Sequence, residues 1–530
     1  MNVLSSESRV TNSIKNSAYG LISYMLIYIF NFIGRAVLVR VLGNEYNGIN
    51  GLFSNIISMI SLTELGIGMA IVFSLYKPLA ENNREQIKAI INLYKNCYRV
   101  IAAIVLAIGI GLFFFLDFFI KDFSDSGISI NLLRIVFAIF VSDAVFSYLL
   151  SYKKCLLIAD QKKYITTNIY TISKISVSVL QTLVLLVFKN FIIFSVLMIF
   201  GNLANNIFCL IVTNNKYPYI KEKSIQKVDP VEKKGIVKNI SALIYHKIGG
   251  FVIFSTDNLL VSKFLGLGIA GMYSNYVMIT VALRSSIEQI LSAVTSGYGN
   301  LLALGNKKRT LEVFEVNFFL GFWIHAFVSI SLVVIFQPFI TVWVGEKSLL
   351  PFIFVLILVL YFYVSGMRYP IQVVKDAAGL FDNDKYSAPL EAIVNLVVSI
   401  LLAKKFGVVG ITIGTIASTL AIPFWVKPYI VFKHVFNGGL KKYYLKYLLY
   451  FSITVIVGTA TYFLAVSPNI NNIFLDILYR VVLCVIIPNA VIVALFFKTP
   501  QFIELARIFC RHKLFRPVFK VFLKNQKDAL

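Results

Sequence analysis

The feature that most constrains this chain is the recurrence of apolar runs long enough to cross a bilayer, separated by short loops rich in lysine and arginine. A membrane span requires roughly 20 consecutive apolar residues. Such runs fall at 14–41, 48–75, 93–118, 131–152, 165–188, 191–213, 240–263, 271–299, 313–338, 351–373, 388–404, 410–432, 446–467 and 474–498. They predict about 14 spans, with both termini on one side of the membrane. Only 14% of the residues are charged, where a soluble domain carries about 25%. The expected class is therefore an all-α polytopic membrane protein.

The formal net charge of +25 would suit a nucleic-acid binder, but its placement does not. The loops and tails on the side of the termini hold 33 lysines and arginines, whereas the opposite turns hold five: Lys121, Lys189, Lys347, Lys404 and Lys405. That skew is the topology signal of a cytoplasmic face, and it puts both termini in the cytoplasm. The five cysteines have neither paired nor metal-like spacing, so neither disulfides nor zinc are expected. The N-terminus lacks a short apolar segment ending in a small-residue cleavage site, so the first span is expected to be retained.

The chain repeats itself. Arg40–Asn55 reads RVLGNEYNGINGLFSN and Lys263–Asn275 reads KFLGLGIAGMYSN, a match that places a three-residue insertion in the first copy. An even number of spans separates the copies, which predicts a parallel repeat: two pseudo-symmetric bundles around a central cavity. The expected organisation is an N-terminal bundle (1–213), a cytoplasmic linker (214–239), a C-terminal bundle (240–432), two additional spans (433–498) and a basic amphipathic tail (499–530) lying on the inner leaflet. The segment Lys404–Ser418 turns again around Gly407 and Gly410, as a short outer turn would.

Charges at bilayer depth are costly and tend to face an interior, so they are the site candidates. Arg35 lies about 9 Å below the outer end of the first span, at 1.5 Å per residue. Arg284 lies near mid-depth in the eighth span, and Lys174 near the middle of the fifth. Facing one cavity, they form a cationic interior suited to phosphate, which guanidinium forks bind well. The structural alternative is neutralisation within a helix, as for Arg284 with Glu288 one turn on; Arg40 is expected to snorkel outward. Asn55 and Asn275, together with Asn31, Asn205, Asn206 and Tyr273, offer amide and hydroxyl partners for sugars. Glu64, Asp143, Asp257 and Glu288 are candidates for coupling to H⁺ or Na⁺, or they balance the buried cations. His325 among aromatics reads as hydrogen-bonded packing. No metal set and no organic cofactor are expected. There is no GxxxxGK[ST] loop, and Gly66-Ile67-Gly68 sits inside an apolar run with no preceding strand.

Arg40-x-Leu42-Gly43, Tyr46-Asn47-Gly48, Glu64-Leu65-Gly66-Ile67-Gly68, Tyr76-Lys77-Pro78-Leu79 and Ser255-Thr256-Asp257-Asn258 resemble the polysaccharide-biosynthesis (O-antigen and capsule-type) flippases. These belong to the multidrug/oligosaccharidyl-lipid/polysaccharide exporter superfamily. The resemblance implies a bacterial cytoplasmic-membrane transporter of 14 helices working by alternating access. Its substrate would be an undecaprenyl-diphosphate-linked oligosaccharide, with other polysaccharide-assembly membrane proteins as candidate partners. Lipid II flippases of the superfamily carry cavity-lining arginines on the first and eighth helices, the helices that hold Arg35 and Arg284 here. One rival is a drug or metabolite exporter of the same superfamily, whose pocket for cationic drugs should be acidic. Another is a membrane-embedded polymerase or ligase, which needs a sizeable outer loop. The outer turns here are short, so a non-enzyme is expected.

Overall fold

The computed structural model describes residues 6–61, 64–120, 127–222, 256–380 and 382–510, leaving a few side chains within those helices, Glu64 among them, outside the description. The chain divides into two compact units, Met1–Ser274 and Asn275–Leu530. Among the described residues, 11 helices are long and apolar enough to cross a membrane.

Three differences account for the gap from 14. The second run is not one helix but two, Asn44–Ile60 and Glu64–Ala80, interrupted after Ile60. Most of the seventh run, with the linker from 223 onward, lies outside the described residues. The eleventh and twelfth runs count together as one apolar stretch, Ser387–Phe436, but they are the two arms of a hairpin that turns at Gly407, as two separate runs would require.

The first unit contains α1 (Ser6–Leu42), α2 (Asn44–Ile60), α3 (Glu64–Ala80), α4 (Arg84–Phe113), α5 (Ile130–Ser151), α6 (Lys154–Ala159), α7 (Lys163–Phe188), α8 (Phe191–Lys216), α9 (256–265) and the first two turns of α10 (Leu267–Ser292). Polar caps start several of the long helices. Asn83, Ser129 and Asn190 each accept hydrogen bonds from backbone N–H groups of the following first turn, which would otherwise have no partner in lipid. The core of this unit has two parts. Leu52, Phe53 and Ile56 of α2 pack on Leu133, Val136 and Phe137 of α5. Ile71 and Leu75 of α3 pack on Ile90, Tyr94 and Val105 of α4. Large apolar side chains such as Leu186, Val187 and Phe188 at the end of α7 are exposed, as expected where lipid is the solvent.

The second unit continues α10 and adds α11 (Thr295–Ala303), α12 (Lys307–Val344), α13 (Phe352–Met367), α14 (Tyr369–Ala377), α15 (Ser387–Ala421), α16 (Pro423–Val431), α17 (Leu440–Val466), α18 (Ile473–Phe496) and α19 (Pro500–Cys510). Its core is aromatic. Phe314, Phe318 and Phe322 of α12 meet Tyr443 and Tyr450 of α17, and the Phe322 and Tyr450 rings stack with centroids 4.1 Å apart.

α15 is a helical hairpin rather than a rod. Gly407 takes φ 59° and ψ −135°, and the two arms run back along each other. Asn395 Nδ2 donates to Thr415 Oγ1 at 3.1 Å, Ser399 Oγ to the Ile411 carbonyl at 3.1 Å, and Thr419 Oγ1 to Glu391 Oε1 at 2.9 Å. The turn expected at Gly407 and Gly410 is therefore present. A Cβ on Gly410 would lie 2.3 Å from the Leu402 carbonyl oxygen. We expect Gly407→Val to destabilise the protein by about 1–3 kcal/mol, read as a lower thermal midpoint in detergent, because a β-branched residue cannot hold that backbone conformation.

The amphipathic tail helix exists over α19, but its apolar side packs on protein. Phe502, Leu505 and Ala506 are buried in the aromatic core, and Arg309 of α12 bonds Glu504 at 3.0 Å. Residues 511–530 of the expected tail lie outside the described residues.

Candidate functional site

The two repeat copies meet inside the first unit, in a register that differs from the one expected. Gly43 (φ 101°) precedes α2 and Gly266 (φ 90°) precedes α10, so the chain makes the same left-handed break in each copy. Five residues on, Gly48 and Gly271 face each other. A Cβ on Gly48 would lie 2.1 Å from the Leu267 carbonyl oxygen, and one on Gly271 would lie 1.9 Å from that of Asn44. These contacts are reciprocal, since Asn44 and Leu267 each follow the matched glycine directly. Alignment from Gly43 and Gly266 therefore needs no insertion. The three-residue gap arose from matching the Ser-Asn pairs, which occupy non-equivalent places.

Backbone touches backbone here because neither helix has a side chain at the crossing. Asn47 Nδ2 bonds the Gly271 carbonyl at 2.8 Å, and Gly51 faces Ser274 Oγ, which lies 2.7 Å from where a Cβ would stand. The crossing also positions Arg35. From the last third of α1, its Nη1 donates to the Ser274 carbonyl at 3.1 Å. Among the described residues no carboxylate pairs with this guanidinium. Nearby, Tyr273 Oη lies 3.3 Å from Asp257 Oδ2, and Ser274 Oγ bonds Asn258 Oδ1 at 3.3 Å. Arg35, Asp257 and Tyr273, far apart in sequence, thus belong to one neighbourhood.

A second group lies where α5, α7 and α8 pack. Asn202 Nδ2 donates to both oxygens of Asp143, at 2.9 and 2.7 Å, and the ammonium of Lys174 acts electrostatically on the same carboxylate. Lys174 also sits over the Tyr170 ring, 5.7 Å from its centroid. Two expected residues with separate roles, Asp143 and Lys174, are thereby partners. Asp143→Ala is expected to cost about 1–3 kcal/mol, measured as a fall in thermal midpoint, because it leaves the Asn202 amide without its acceptor and the Lys174 ammonium without a nearby opposite charge. Asp143→Asn, which keeps an acceptor, should cost less. Asn205 and Asn206 are buried on α8, Asn55 is half-buried on α2, and Asn31 and Arg40 are exposed on α1.

In the second unit Arg284 Nε bonds Glu288 Oε1 at 2.8 Å, and Tyr361 also hydrogen-bonds the guanidinium. Arg284 and Glu288 are therefore mutually neutralising. Asn275 is fully buried at the start of this unit. His325 Nδ1 lies 2.7 Å from the Gly321 carbonyl, and its ring packs near Phe362. The glutamate in the resembling ELGIG segment, Glu64, starts α3, and its side chain lies outside the described residues.

The sequence reading passed over a polar core in this unit. Glu391 is 6% exposed, accepts from Thr419 and lies 4.0 Å from Arg368 Nη1. Lys375 pairs with Asp384 at 2.6 Å, and Lys427 donates to Gln372 at 2.7 Å. The available signal was a glutamate four residues into an apolar run, opposite a threonine-rich one.

The fold of the chain is similar to that of the lipid II flippase MurJ in an inward closed conformation, at 15% identity and a TM-score of 0.66, covering 91% of this chain and 99% of that one. It is also similar to an inward-facing MATE multidrug resistance transporter of the MOP superfamily, at 13% identity and a TM-score of 0.58, covering 78% and 96%. A mutant form of the Vibrio cholerae MATE transporter VcmN matches at 14% identity and a TM-score of 0.55, covering 82% and 98%. No curated protein matches by sequence. Residues 13–296, just over half of the chain, match the family described as polysaccharide biosynthesis protein. With an all-helical, multi-pass membrane architecture and the transporter fold shared by MurJ and MATE proteins, the chain belongs to the polysaccharide biosynthesis protein family.

Proposed function

We propose that the protein flips an undecaprenyl-diphosphate-linked oligosaccharide from the inner to the outer leaflet of the bacterial cytoplasmic membrane by alternating access, for assembly of a surface polysaccharide. The observation that carries this reading is Arg35. Its guanidinium is held at membrane depth by one backbone carbonyl, with no carboxylate partner among the described residues. A cation in that condition is poised for an anion. A diphosphate entering a low-dielectric space needs donors of this kind to offset its lost hydration.

Arg284 supports the reading less directly, because Glu288 already balances it. Lys174, Asn55 and Asn275 remain proposed substrate contacts. Asp143, Asp257, Glu64 and Glu288 remain the proposed path for a coupling H⁺ or Na⁺; of these, Asp143 is linked to a substrate candidate through Lys174. Both termini are proposed to be cytoplasmic, from the charge skew.

Deletion of the gene tests the reading. Finished lipid-linked repeat units should accumulate on the cytoplasmic side while their synthesis continues. An unchanged surface glycan together with altered drug tolerance would instead favour an exporter.

A further inference from the structure

Outside the region around Arg35, the first unit gathers cations around one tyrosine. Tyr152 caps the end of α5. Lys95 and Lys153 both approach its ring, with Nζ 5.7 and 5.9 Å from the centroid, and the Arg99 guanidinium acts on its hydroxyl. Lys153 Nζ donates to Asn214 Oδ1 at 2.6 Å, at the end of α8. Burial, and then the ammoniums of Lys95 and Lys221, push the Lys153 amine below its ordinary value.

These cations come from three separate stretches of the chain. Lys95 and Arg99 are on α4, Lys153 lies between α5 and α6, and Lys221 follows α8. Crowding of like charges is unfavourable unless an anion joins them. The adjacent carboxylates are already engaged: Asp160 by Lys162 at 2.5 Å and by the Tyr217 hydroxyl, and Glu222 by Lys88 at 3.2 Å. Among the described residues, no carboxylate pairs with Lys95, Arg99, Lys153 or Lys221. The 30-residue α4 is about 45 Å long, beyond a hydrocarbon core of about 30 Å, and Lys95 and Arg99, about 17 and 23 Å from its start, stand near the inner edge of that core, where long basic side chains reach toward the headgroups. This is the end of the unit that the lysine and arginine skew assigns to the cytoplasm.

We propose that Lys95, Arg99, Lys153 and Lys221, with the Asn214 amide, form a phosphoryl-binding site at the boundary between hydrocarbon core and headgroups in the first unit. Its ligand is a phosphate or diphosphate group, carried by a membrane lipid or free in solution. The site stands whether or not the protein is a flippase, since its chemistry is that of phosphate recognition by converging ammonium and guanidinium groups.

The test uses the full-length protein purified in detergent. Retention of phosphatidic acid is read by native mass spectrometry, and binding of inorganic pyrophosphate by calorimetry. The variant Lys95→Gln/Arg99→Gln/Lys153→Gln is compared with an equal-charge control, Lys385→Gln/Lys433→Gln/Lys441→Gln. Loss of phosphatidic acid retention by about tenfold in the first variant but not the control supports a lipid phosphate as ligand. Loss of pyrophosphate binding with unchanged lipid retention supports the same site with a soluble phosphate. Lys153→Arg, which keeps the charge, should retain whichever ligand the parent binds, and guards against misreading a folding defect. Equal losses in variant and control, or none in either, would overturn the site.

Discussion

Gly271→Ala is expected to be among the most damaging single-methyl changes in this protein, and Gly48→Ala to match it. The added carbon would lie 1.9 Å from the Asn44 carbonyl oxygen in the first case and 2.1 Å from that of Leu267 in the second. Both obstacles are backbone, so no rotamer change relieves them, and α2 and the start of α10 must separate by about 1 Å or more. Overpacking of this kind costs roughly 1–3 kcal/mol, and more where neither side can yield. The same movement withdraws the Ser274 carbonyl from Arg35, so we expect lost translocation as well as a lower thermal midpoint. Gly111 supplies the control. It lies in α4 with nothing within 4 Å of an added Cβ, and alanine there should be neutral or stabilise by up to about 1 kcal/mol. Purified variants compared by thermal unfolding decide the matter. Equal tolerance at Gly271 and Gly111 would mean that the repeats do not cross on their backbones.

Arg35→Ala carries the second large expectation. If its free donors bind a diphosphate, their loss removes charge-assisted hydrogen bonds worth about 1.5–3 kcal/mol, equivalent to roughly 10- to 100-fold in affinity. Arg35→Lys should recover part of this, because an ammonium keeps the charge but lacks the fork that meets two phosphate oxygens. Arg284→Ala needs a different reading, since it strands Glu288 as an unbalanced carboxylate. The informative variant is Arg284→Ala/Glu288→Gln. Near-normal translocation in the double variant assigns the pair to structure, and persistent loss there while Glu288→Gln alone stays active assigns Arg284 to the substrate. All these variants are read at matched membrane levels, by flipping of a fluorescent lipid-linked sugar in proteoliposomes. Full activity of Arg35→Ala would remove the observation on which the flippase reading rests.

The division between sequence and fold follows from what each charge can meet. Apolar run length and the bias of lysine and arginine depend only on the solvent a segment must enter, so the spans and the all-helical class were legible before any coordinates. The same holds for the Arg284–Glu288 pair, which α-helical spacing alone brings together. The hairpin turn at Gly407 was legible too, because glycine stood where a short apolar turn needed it. The break after Ile60 was not, since Ser61, Thr63 and Glu64 are too few polar residues to end a run that stays apolar on both sides.

Tertiary structure decided the rest, because partners that lie far apart in sequence leave no periodic trace. Asp143 looked like an isolated carboxylate until α8 brought Asn202 to it and α7 brought Lys174. The repeat register depended on which glycines touch, and a string match preferred the Ser-Asn letters over the backbone contact. Sequence by itself determined that this is a helical membrane chain built on a duplicated turn, since transfer from water to lipid acts residue by residue. Only the packed structure decided which buried charges are neutralised and which, like Arg35, bond a backbone carbonyl and meet no carboxylate among the described residues, since that depends on backbone positions contributed by a second helix.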